Sequence, residues 1–340
     1  MVEVTKLERD SFRNKVLKSC DTYLEISDKY NLAIGIYQNG KMYVFGNGIE
    51  QDYLYDVGSI SKTMTAHLIL SLVEKGKIDL YSTVDKYIEL KRGNYPTVYE
   101  LLTHTAGYGN LTPCEIVVPS LLKSGYAKKN IYSGCSETNV IKCLEKRNKH
   151  KYKNGYGYSD FSYAILAIIA SRVTDMNFDI LFEKFIKEDL GLSDSWLTFN
   201  GKRFPLAVNR NKVLTYWKWE TNNPYIASGG VTSSIYEMLK YLKLEIESRE
   251  KFIINAHKVC SESHSKNSNI MSCIGWHTYK KSNQFWHVGG VGTFRSSMIF
   301  NKVKKYGVIV LGNAKGVVGA NVHYLAKMIY SELKIKKVKF

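Results

Sequence analysis

Long apolar runs are missing from this 340-residue sequence, and residues 1–20 lack the apolar core of a secretory signal. A membrane-spanning helix needs about 20 consecutive apolar residues, and a signal peptide needs an apolar segment of about 7–15 residues. The sequence therefore predicts no membrane span and a cytoplasmic location. A secreted chain trimmed of its leader would look identical, so that alternative stays open.

Cysteine pairs at the spacing of metal ligands or redox motifs are also missing. The six cysteines are scattered: Cys20, Cys114, Cys135, Cys143, Cys260 and Cys273. Zinc sites and dithiol motifs place cysteines about two to four residues apart, and disulfides are rare in reducing compartments. We therefore expect free thiols, no disulfide framework, no metal ion and no cofactor.

Acidic residues are outnumbered, because 48 Lys and Arg stand against 31 Asp and Glu, for a net charge of +17. A surface of this sign favours anionic partners. No Arg-rich stripe or interleaving of basic and aromatic residues suggests a nucleic-acid-binding module. We predict no nucleic-acid partner and keep an anionic polymer open as a substrate. The hydrophobic fraction of 44% is enough for one large core or two modest ones.

Apolar periodicity predicts both helices and strands in the first half of the chain. Residues 5–29 have helical spacing, and Asn39-Gly40 between two strand-like runs predicts a β-hairpin. The segment from Ser61 to Lys75 is apolar almost all round, which indicates a buried helix that ends at Gly76. Farther along, helical patterns occupy residues 97–110, 137–148 and 161–175.

The last third of the chain predicts further strands between two helices. The first helix covers residues 231–246, with Thr232 or Ser233 as its N-cap. Four strand-like runs follow, at residues 272–279, 285–290, 294–301 and 306–313. An amphipathic helix is then predicted at residues 319–334. The short turns favour antiparallel pairing. We predict an α/β (α+β) fold in which residues 1–78 and 226–340 form an antiparallel sheet flanked by helices, with a mainly helical domain inserted at 79–225.

Ser59 and Lys62 stand out in the run YDVGSISKTM, residues 55–64. Residues three apart share a helix face, so the hydroxyl and the amine would lie side by side. A buried, neutral lysine can accept a serine proton. Spacing alone is weak, because other pairs match it: Ser120-Lys123, Ser248-Lys251, Ser263-Lys266 and Ser331-Lys334. Only the pair at Ser59 follows a glycine and opens an apolar helix. The alternative is a structural role, with a serine that caps the helix and a lysine that extends into solvent.

Five segments extend this pattern in order along the chain: residues 55–88, LLTHTAGYG at 101–109, YSDFSYAILAIIASRVTD at 158–175, ASGGVTSSIYEMLKYL at 227–242 and FWHVGGVGTF at 285–294. They resemble the serine β-lactamase and penicillin-binding protein superfamily, specifically its class C-like branch of peptidases and esterases, whose signature is S-x-x-K. The matches span roughly residues 50–313. The resemblance implies a β-lactamase-like fold and a covalent acyl-enzyme.

The second motif of this family, Y-x-N, is matched at Tyr108 and at Tyr152, and Tyr158 begins the variant Y-x-D. We assign it to Tyr158 because this residue alone stands directly before a long apolar helix. The resemblance implies that Tyr158 shuttles protons, for which its phenol needs a cation such as Lys62 or His287 nearby. The alternative is a packed tyrosine with a hydrated hydroxyl.

Residues 287–289 match the third motif in its H-x-G form, so His287 and Gly289 should line the site from an edge strand. The alternative is a strand histidine with a satisfied ring. The resemblance implies that the backbone amides of Ser59 and Gly290 form an oxyanion hole, which needs N–H donors aimed at the developing charge. We interpret His104 as structural, in a turn that closes the helical region over the cleft.

Two positions depart from the family pattern. His287 replaces the lysine of β-lactamases and many DD-peptidases, and a shorter, often neutral donor is a poorer partner for a substrate carboxylate. Asp160 replaces the usual asparagine, and it favours a cationic substrate group or pairs with Lys62, which would make the lysine a worse base. A Y-x-D variant also resembles D-alanyl esterases that act on teichoic acid. A run of basic residues lies just before Tyr158, and it either flanks the cleft or forms a solvated loop. These residues are Lys146, Arg147, Lys149, Lys151 and Lys153.

The predicted function is that of a serine hydrolase or acyltransferase, a peptidase, amidase or esterase for small-molecule or peptide substrates such as D-amino-acid or aminoacyl compounds. Ser59 forms the acyl-enzyme, Lys62 and Tyr158 move the proton, and Asp160 and His287 support the substrate. The alternative is a catalytically quiet binding or assembly protein. A class C-type β-lactamase is the third reading.

Overall fold

The computed structural model describes residues 30–50, 53–109, 130–148, 156–197, 207–209, 212–214, 216–263, 269–313 and 322–335. The strands are β1 Leu32–Gln38, β2 Lys41–Gly46, β3 Tyr55–Asp56, β4 Ala207–Asn209, β5 Lys212–Leu214, β6 Thr232–Ser233, β7 Cys260–Ser263, β8 Ile270–Cys273, β9 His277–Tyr279, β10 Gln284–Val291, β11 Phe294–Asn301 and β12 Tyr306–Gly312. The helix predicted for residues 5–29 lies outside the described residues.

The helices alternate with these strands along the chain. They are α1 Ser61–Glu74, α2 Val98–Leu102, α3 Glu137–Asn148, α4 Asp160–Thr174, α5 Phe178–Glu188, α6 Ile226–Gly229, α7 Ile235–Glu247, α8 Lys251–Lys258 and α9 Val322–Ile335, with 3₁₀ turns η1 at Gly58–Ile60 and η2 at Val84–Lys86. Within the described part of the chain, no helix is both long and apolar enough to cross a bilayer.

Eight of the strands form one antiparallel sheet in the order β2-β1-β12-β11-β10-β9-β8-β7. The two ends of the chain meet in its centre, where β1 pairs with β12 so that Leu32 lies opposite Gly312. Asn39 and Gly40, with φ of 48° and 87°, form the predicted hairpin turn between β1 and β2. This sheet confirms the predicted fold class.

Helices cover both faces of the sheet. On one face α9 packs its apolar side against β1, β11 and β12 through Leu325, Ile329 and Val308. On the other face α7 lies against β1, β11 and β12, while α1 is surrounded by α4, α6 and α8. Residues 61–72 of α1 are all buried, as predicted for a helix that is apolar almost all round. The helix that begins two residues after Ser59 is therefore held from several sides.

A single cluster of buried apolar side chains joins the sheet to the helices between residues 79 and 225. Ile69 of α1, Leu101 of α2, Phe161 of α4 and Leu239 of α7 all belong to it. The described elements of this middle region are mainly helices, together with the short β4–β5 pair. The domain boundaries at 78 and 225 stay a prediction.

Three details of the predicted elements are wrong. The helical pattern at residues 97–110 gives only the short helix α2, which ends at Leu102. Residues 272–279 do not form one strand, because residues 274–276 interrupt them and Gly275 takes a φ of 77°. The N-cap of α7 is Ser234, whose side chain accepts a hydrogen bond from the Glu237 amide. Thr232 and Ser233 instead pair with β3, so tertiary pairing overrides their local capping preference.

The expectation of free thiols throughout is also wrong. Cys260 and Cys273 form a disulfide across the neighbouring strands β7 and β8, while Cys135 and Cys143 are buried and reduced. The pairing depends on strand register, which places residues 13 positions apart opposite each other. The cytoplasmic location stays a prediction.

Candidate active site

Ser59 lies in the 3₁₀ turn η1, directly before α1. Gly58 has a φ of 54° and its missing Cβ would lie 2.4 Å from the Gly290 nitrogen of β10. Only glycine allows both this left-handed backbone and this close approach. The glycine before the serine therefore lets the turn contact the end of β10.

Lys62 is one turn farther on, and its side chain is 0% exposed. Its Nζ lies 3.0 Å from Ser59 Oγ, 2.6 Å from the Ser228 carbonyl oxygen and 2.5 Å from Asp160 Oδ1. Three acceptors match the three hydrogens of an ammonium group. The amine therefore lies within hydrogen-bond distance of the serine hydroxyl and pairs with the Asp160 carboxyl group.

Asp160 occupies the first turn of α4, where Ser159 is the N-cap and a carboxylate is favoured by the helix dipole. One oxygen pairs with Lys62, and the other accepts a hydrogen bond from the Tyr132 hydroxyl. Of the two roles left open by the sequence, the geometry supports the pair with Lys62. A cationic substrate group would have to compete with both of these partners.

Tyr158 places its ring centroid 5.0 Å from Lys62 Nζ and 6.1 Å from the His287 ring. The three stretches that carry the serine, the lysine and the tyrosine thus meet in one place. The rival Tyr108 is buried and packs on Phe161, and the rival at residue 152 lies outside the described residues.

His104 holds the Tyr158 segment in place. Its Nδ1 accepts a hydrogen bond from the Ser159 amide at 3.1 Å, and its carbonyl oxygen accepts one from the Gly157 amide at 2.8 Å. Its ring lies 4.5 Å from the Tyr158 ring, centroid to centroid. These contacts agree with a structural interpretation of His104. The turn at residues 103–107 holds the backbone on either side of Tyr158 and packs against its ring.

His287 is buried in the core beside the site. Burial, together with His277 and the charge on Lys62, lowers the pKa of His287 well below its usual value. Its Nδ1 lies 3.0 Å from the Val288 carbonyl oxygen, which can only accept, so Nδ1 carries the proton and Nε2 carries the lone pair. Nε2 has no hydrogen-bond partner among the described residues. In this tautomer the ring offers an acceptor, and the supporting role of His287 stays a prediction.

Gly289 gives the closest contact between β10 and the serine turn. A Cβ on Gly289 would lie 2.1 Å from the Val57 carbonyl oxygen, 2.2 Å from Ser296 Oγ and 3.1 Å from the Ser59 amide nitrogen. The Ser59 amide therefore lies beside the stretch that ends at Gly290. The oxyanion hole from the Ser59 and Gly290 amides stays a prediction, which needs both N–H groups aimed at one point.

Asp56 provides a pH-dependent prediction for the strand that leads to Ser59. Burial raises the pKa of Asp56 from 3.8 to about 7, so between these pH values the folded protein holds a proton that the unfolded chain releases. Stability therefore falls as the pH rises from about 4 to 7. Asp56→Asn should stabilise the protein at pH 8 by up to roughly 4 kcal/mol, with the gain shrinking towards pH 4.

Urea unfolding of both proteins across this pH range measures the effect, and the exposed Asp85→Asn is the matched control. The same gain at pH 4 and pH 8 would contradict the role of burial at Asp56.

The comparison with protein families agrees with this geometry. The family model described as Beta-lactamase matches residues 23–327. The chain belongs to the β-lactamase family. It is thereby placed in the superfamily of serine β-lactamases and penicillin-binding proteins, as the motifs predicted.

Relatives in this family are distant. The chain is 24% identical over 232 residues to a protein described as Beta-lactamase from Providencia stuartii, covering 64% of this chain and 56% of that one. It is 22% identical over 364 residues to Protein flp of Staphylococcus aureus (strain N315), covering 96% and 66%. The chain thus spans 56% to 66% of the length of these curated relatives.

Solved structures establish the β-lactamase fold. The octameric penicillin-binding protein homologue from Pyrococcus abyssi superposes with a TM-score of 0.75 at 23% identity, covering 95% of this chain and 78% of that one. A β-lactamase/D-alanine carboxypeptidase from Pseudomonas syringae superposes with 0.74 at 16% identity, covering 95% and 99%.

The family motifs do not reveal every group in this site. The Ser228 carbonyl lies within a matched segment, but a backbone acceptor leaves no mark in the sequence. Tyr132 lies outside every motif and reaches Asp160 from 28 residues away, so no local pattern points to it. Among the described residues no cluster of three His, Cys, Asp or Glu side chains could hold a metal ion.

Proposed function

We propose that the protein is a serine hydrolase or acyltransferase that works through an acyl-enzyme on Ser59. The observation that carries the proposal is the 3.0 Å contact between Ser59 Oγ and Lys62 Nζ, at a turn whose amide faces the β10 glycines. A serine nucleophile needs a base within hydrogen-bond reach and donors for the oxyanion. Both requirements have candidates here.

In the first step Ser59 Oγ attacks the carbonyl carbon of an ester or amide. Its proton passes to Lys62 as Lys62 gives one to Asp160 Oδ1, 2.5 Å away, so the net charge of the site does not change. Tyr158 gives a proton to the leaving alcohol or amine and regains one through Lys62. Water, or an acceptor alcohol or amine, then releases the acyl group from Ser59.

The substrate that this site favours carries no carboxylate beside His287. A neutral imidazole with its lone pair on Nε2 accepts hydrogen bonds, whereas a carboxylate also needs donors. This supports an ester or amide substrate, such as an aminoacyl compound, over penicillins and acyl-D-Ala-D-Ala peptides. The net charge of +17 would attract such groups on an anionic polymer.

A catalytically quiet binding or assembly protein is the second candidate. The ammonium of Lys62 has three acceptors and a carboxylate at 2.5 Å, which favours its charged form. If Asp160 never takes up a proton from Lys62, then Lys62 cannot accept the proton of Ser59 and the serine is not activated. The two candidates differ in whether Ser59 reacts in the folded protein.

Turnover of a chromogenic short-chain ester such as p-nitrophenyl acetate tests the proposal. Ser59→Ala should abolish turnover above the uncatalysed rate, because the attacking oxygen is removed while the fold is kept. Ser331→Ala is the matched control, since Ser331 has the same Ser-x-x-Lys spacing on the exposed side of α9, and it should turn over like the wild type.

Retained activity in the Ser59 variant would remove the assignment. An inactive wild type that also resists a fluorophosphonate probe would favour the binding protein. Nitrocefin hydrolysis that depends on Ser59 would favour a β-lactamase instead.

A further inference from the structure

We propose that Tyr132 is a positioning residue that holds the Asp160 carboxyl group against Lys62, so that the reactivity of Ser59 depends on the Tyr132 hydroxyl. The kinetic part of this inference rests on the proposed function. Tyr132 belongs to none of the family motifs in the sequence. Its role follows from its contacts.

The Tyr132 hydroxyl donates to Asp160 Oδ2, while Oδ1 of the same carboxylate faces Lys62. A hydrogen bond donated to a carboxylate favours its charged form, and charge-assisted bonds are stronger than neutral ones. The side chain of Asp160 is only 15% exposed, so water contributes little to this balance. Removing the phenol oxygen should make Asp160 bind a proton more readily.

The backbone of Tyr132 is held on both sides. Its amide donates to Asn130 Oδ1 at 2.9 Å, and its carbonyl oxygen accepts from Asn223 Nδ2 at 2.8 Å. Asn130 in turn donates through Nδ2 to the Lys218 carbonyl oxygen at 2.9 Å. Two side-chain amides therefore fix the position of this residue.

The ring of Tyr132 is held by stacking. It lies parallel to the Tyr225 ring with 4.3 Å between centroids, and the Trp219 ring lies 6.2 Å away. The side chain is buried. A rigidly held phenol aimed at a carboxylate can tune that carboxylate without touching the substrate. Phenylalanine would keep the stacking and remove only the hydroxyl.

The test measures the rate of fluorophosphonate labelling of Ser59 against pH, in the full chain. In the plot of labelling rate against pH, the rate falls at low pH, and we call this fall the acid limb. Tyr132→Phe should move the midpoint of the acid limb to higher pH by about one unit, since a charge-assisted hydrogen bond is worth on the order of a tenfold change in an equilibrium constant. In an Asp160→Asn background the same substitution should move the limb by less than a few tenths of a unit.

The matched control is Tyr37→Phe, which removes a tyrosine–carboxylate hydrogen bond to Glu247 between β1 and α7 and should leave the limb in place. An unchanged limb in Tyr132→Phe overturns the inference. A shift that persists in the Asp160→Asn background also overturns it, because Tyr132 would then act by another route.

A second readout does not depend on reactivity at Ser59. Carbon-13 NMR of the Asp160 carboxyl follows its titration directly, and the midpoint should move to higher pH in Tyr132→Phe. If the wild type neither turns over ester nor labels, the proposed function fails while this titration still decides the inference. An identical midpoint in the two proteins would overturn it.

Discussion

Replacing Lys62 by methionine is expected to lower turnover by about 100- to 10,000-fold and to destabilise the fold. The lysine supplies the group within 3.0 Å of Ser59 Oγ, and loss of a general base costs about 10²- to 10⁴-fold. The change also leaves Asp160 without its counter-charge. Breaking a buried pair on one side costs about 3–5 kcal/mol, and the partial exposure of Asp160 places the expected loss at the lower end.

The double variant Lys62→Met with Asp160→Asn separates these two effects. It removes both charges, so urea unfolding should recover most of the lost stability while ester turnover stays absent. Recovery of turnover in the double variant would show that Lys62 is needed only to balance Asp160. No recovery of stability would contradict the ion pair as the cause of the destabilisation.

Replacing Gly289 by alanine is expected to lower kcat by about 100- to 1,000-fold with little change in KM. The new methyl group would collide with the Val57 carbonyl oxygen at 2.1 Å and with Ser296 Oγ at 2.2 Å, so the serine turn must move away from β10. Separating one donor from an oxyanion hole costs a factor of this size. Overpacking should also cost about 1–3 kcal/mol of stability.

Gly290→Ala is the matched comparison within the same motif. A Cβ there would first meet Arg295 Nη1 at 3.0 Å, the end of a flexible side chain that can shift. Its loss of kcat should therefore be at least ten times smaller than that of Gly289→Ala. Equal losses of kcat in the two variants would show that activity does not depend on the close approach of Val57 and Ser59 to Gly289.

Much of the site could be predicted from the sequence because the family motifs sit at element boundaries. Ser59 and Lys62 open a helix, and Tyr158 precedes one. These positions carry local signals in capping, turns and apolar periodicity. The order of the motifs then predicts that they meet, and the 5.0 Å between Lys62 Nζ and the Tyr158 ring agrees with that prediction.

What could not be predicted depends on contacts between distant residues. The Cys260–Cys273 disulfide requires the register of β7 and β8. The acceptor state of His287 follows from one carbonyl oxygen and from burial. The contact of Tyr132 with Asp160 arises because a loop and a helix start come together in the core. None of these is encoded in a local pattern.

Mass spectrometry after treatment with a fluorophosphonate tests most directly whether Ser59 is an activated nucleophile. One phosphonyl group per folded chain is expected, mapped to the peptide that contains Ser59, with no adduct in Ser59→Ala or after denaturation of the wild type. An adduct on another serine, or equal labelling of folded and denatured protein, would contradict it.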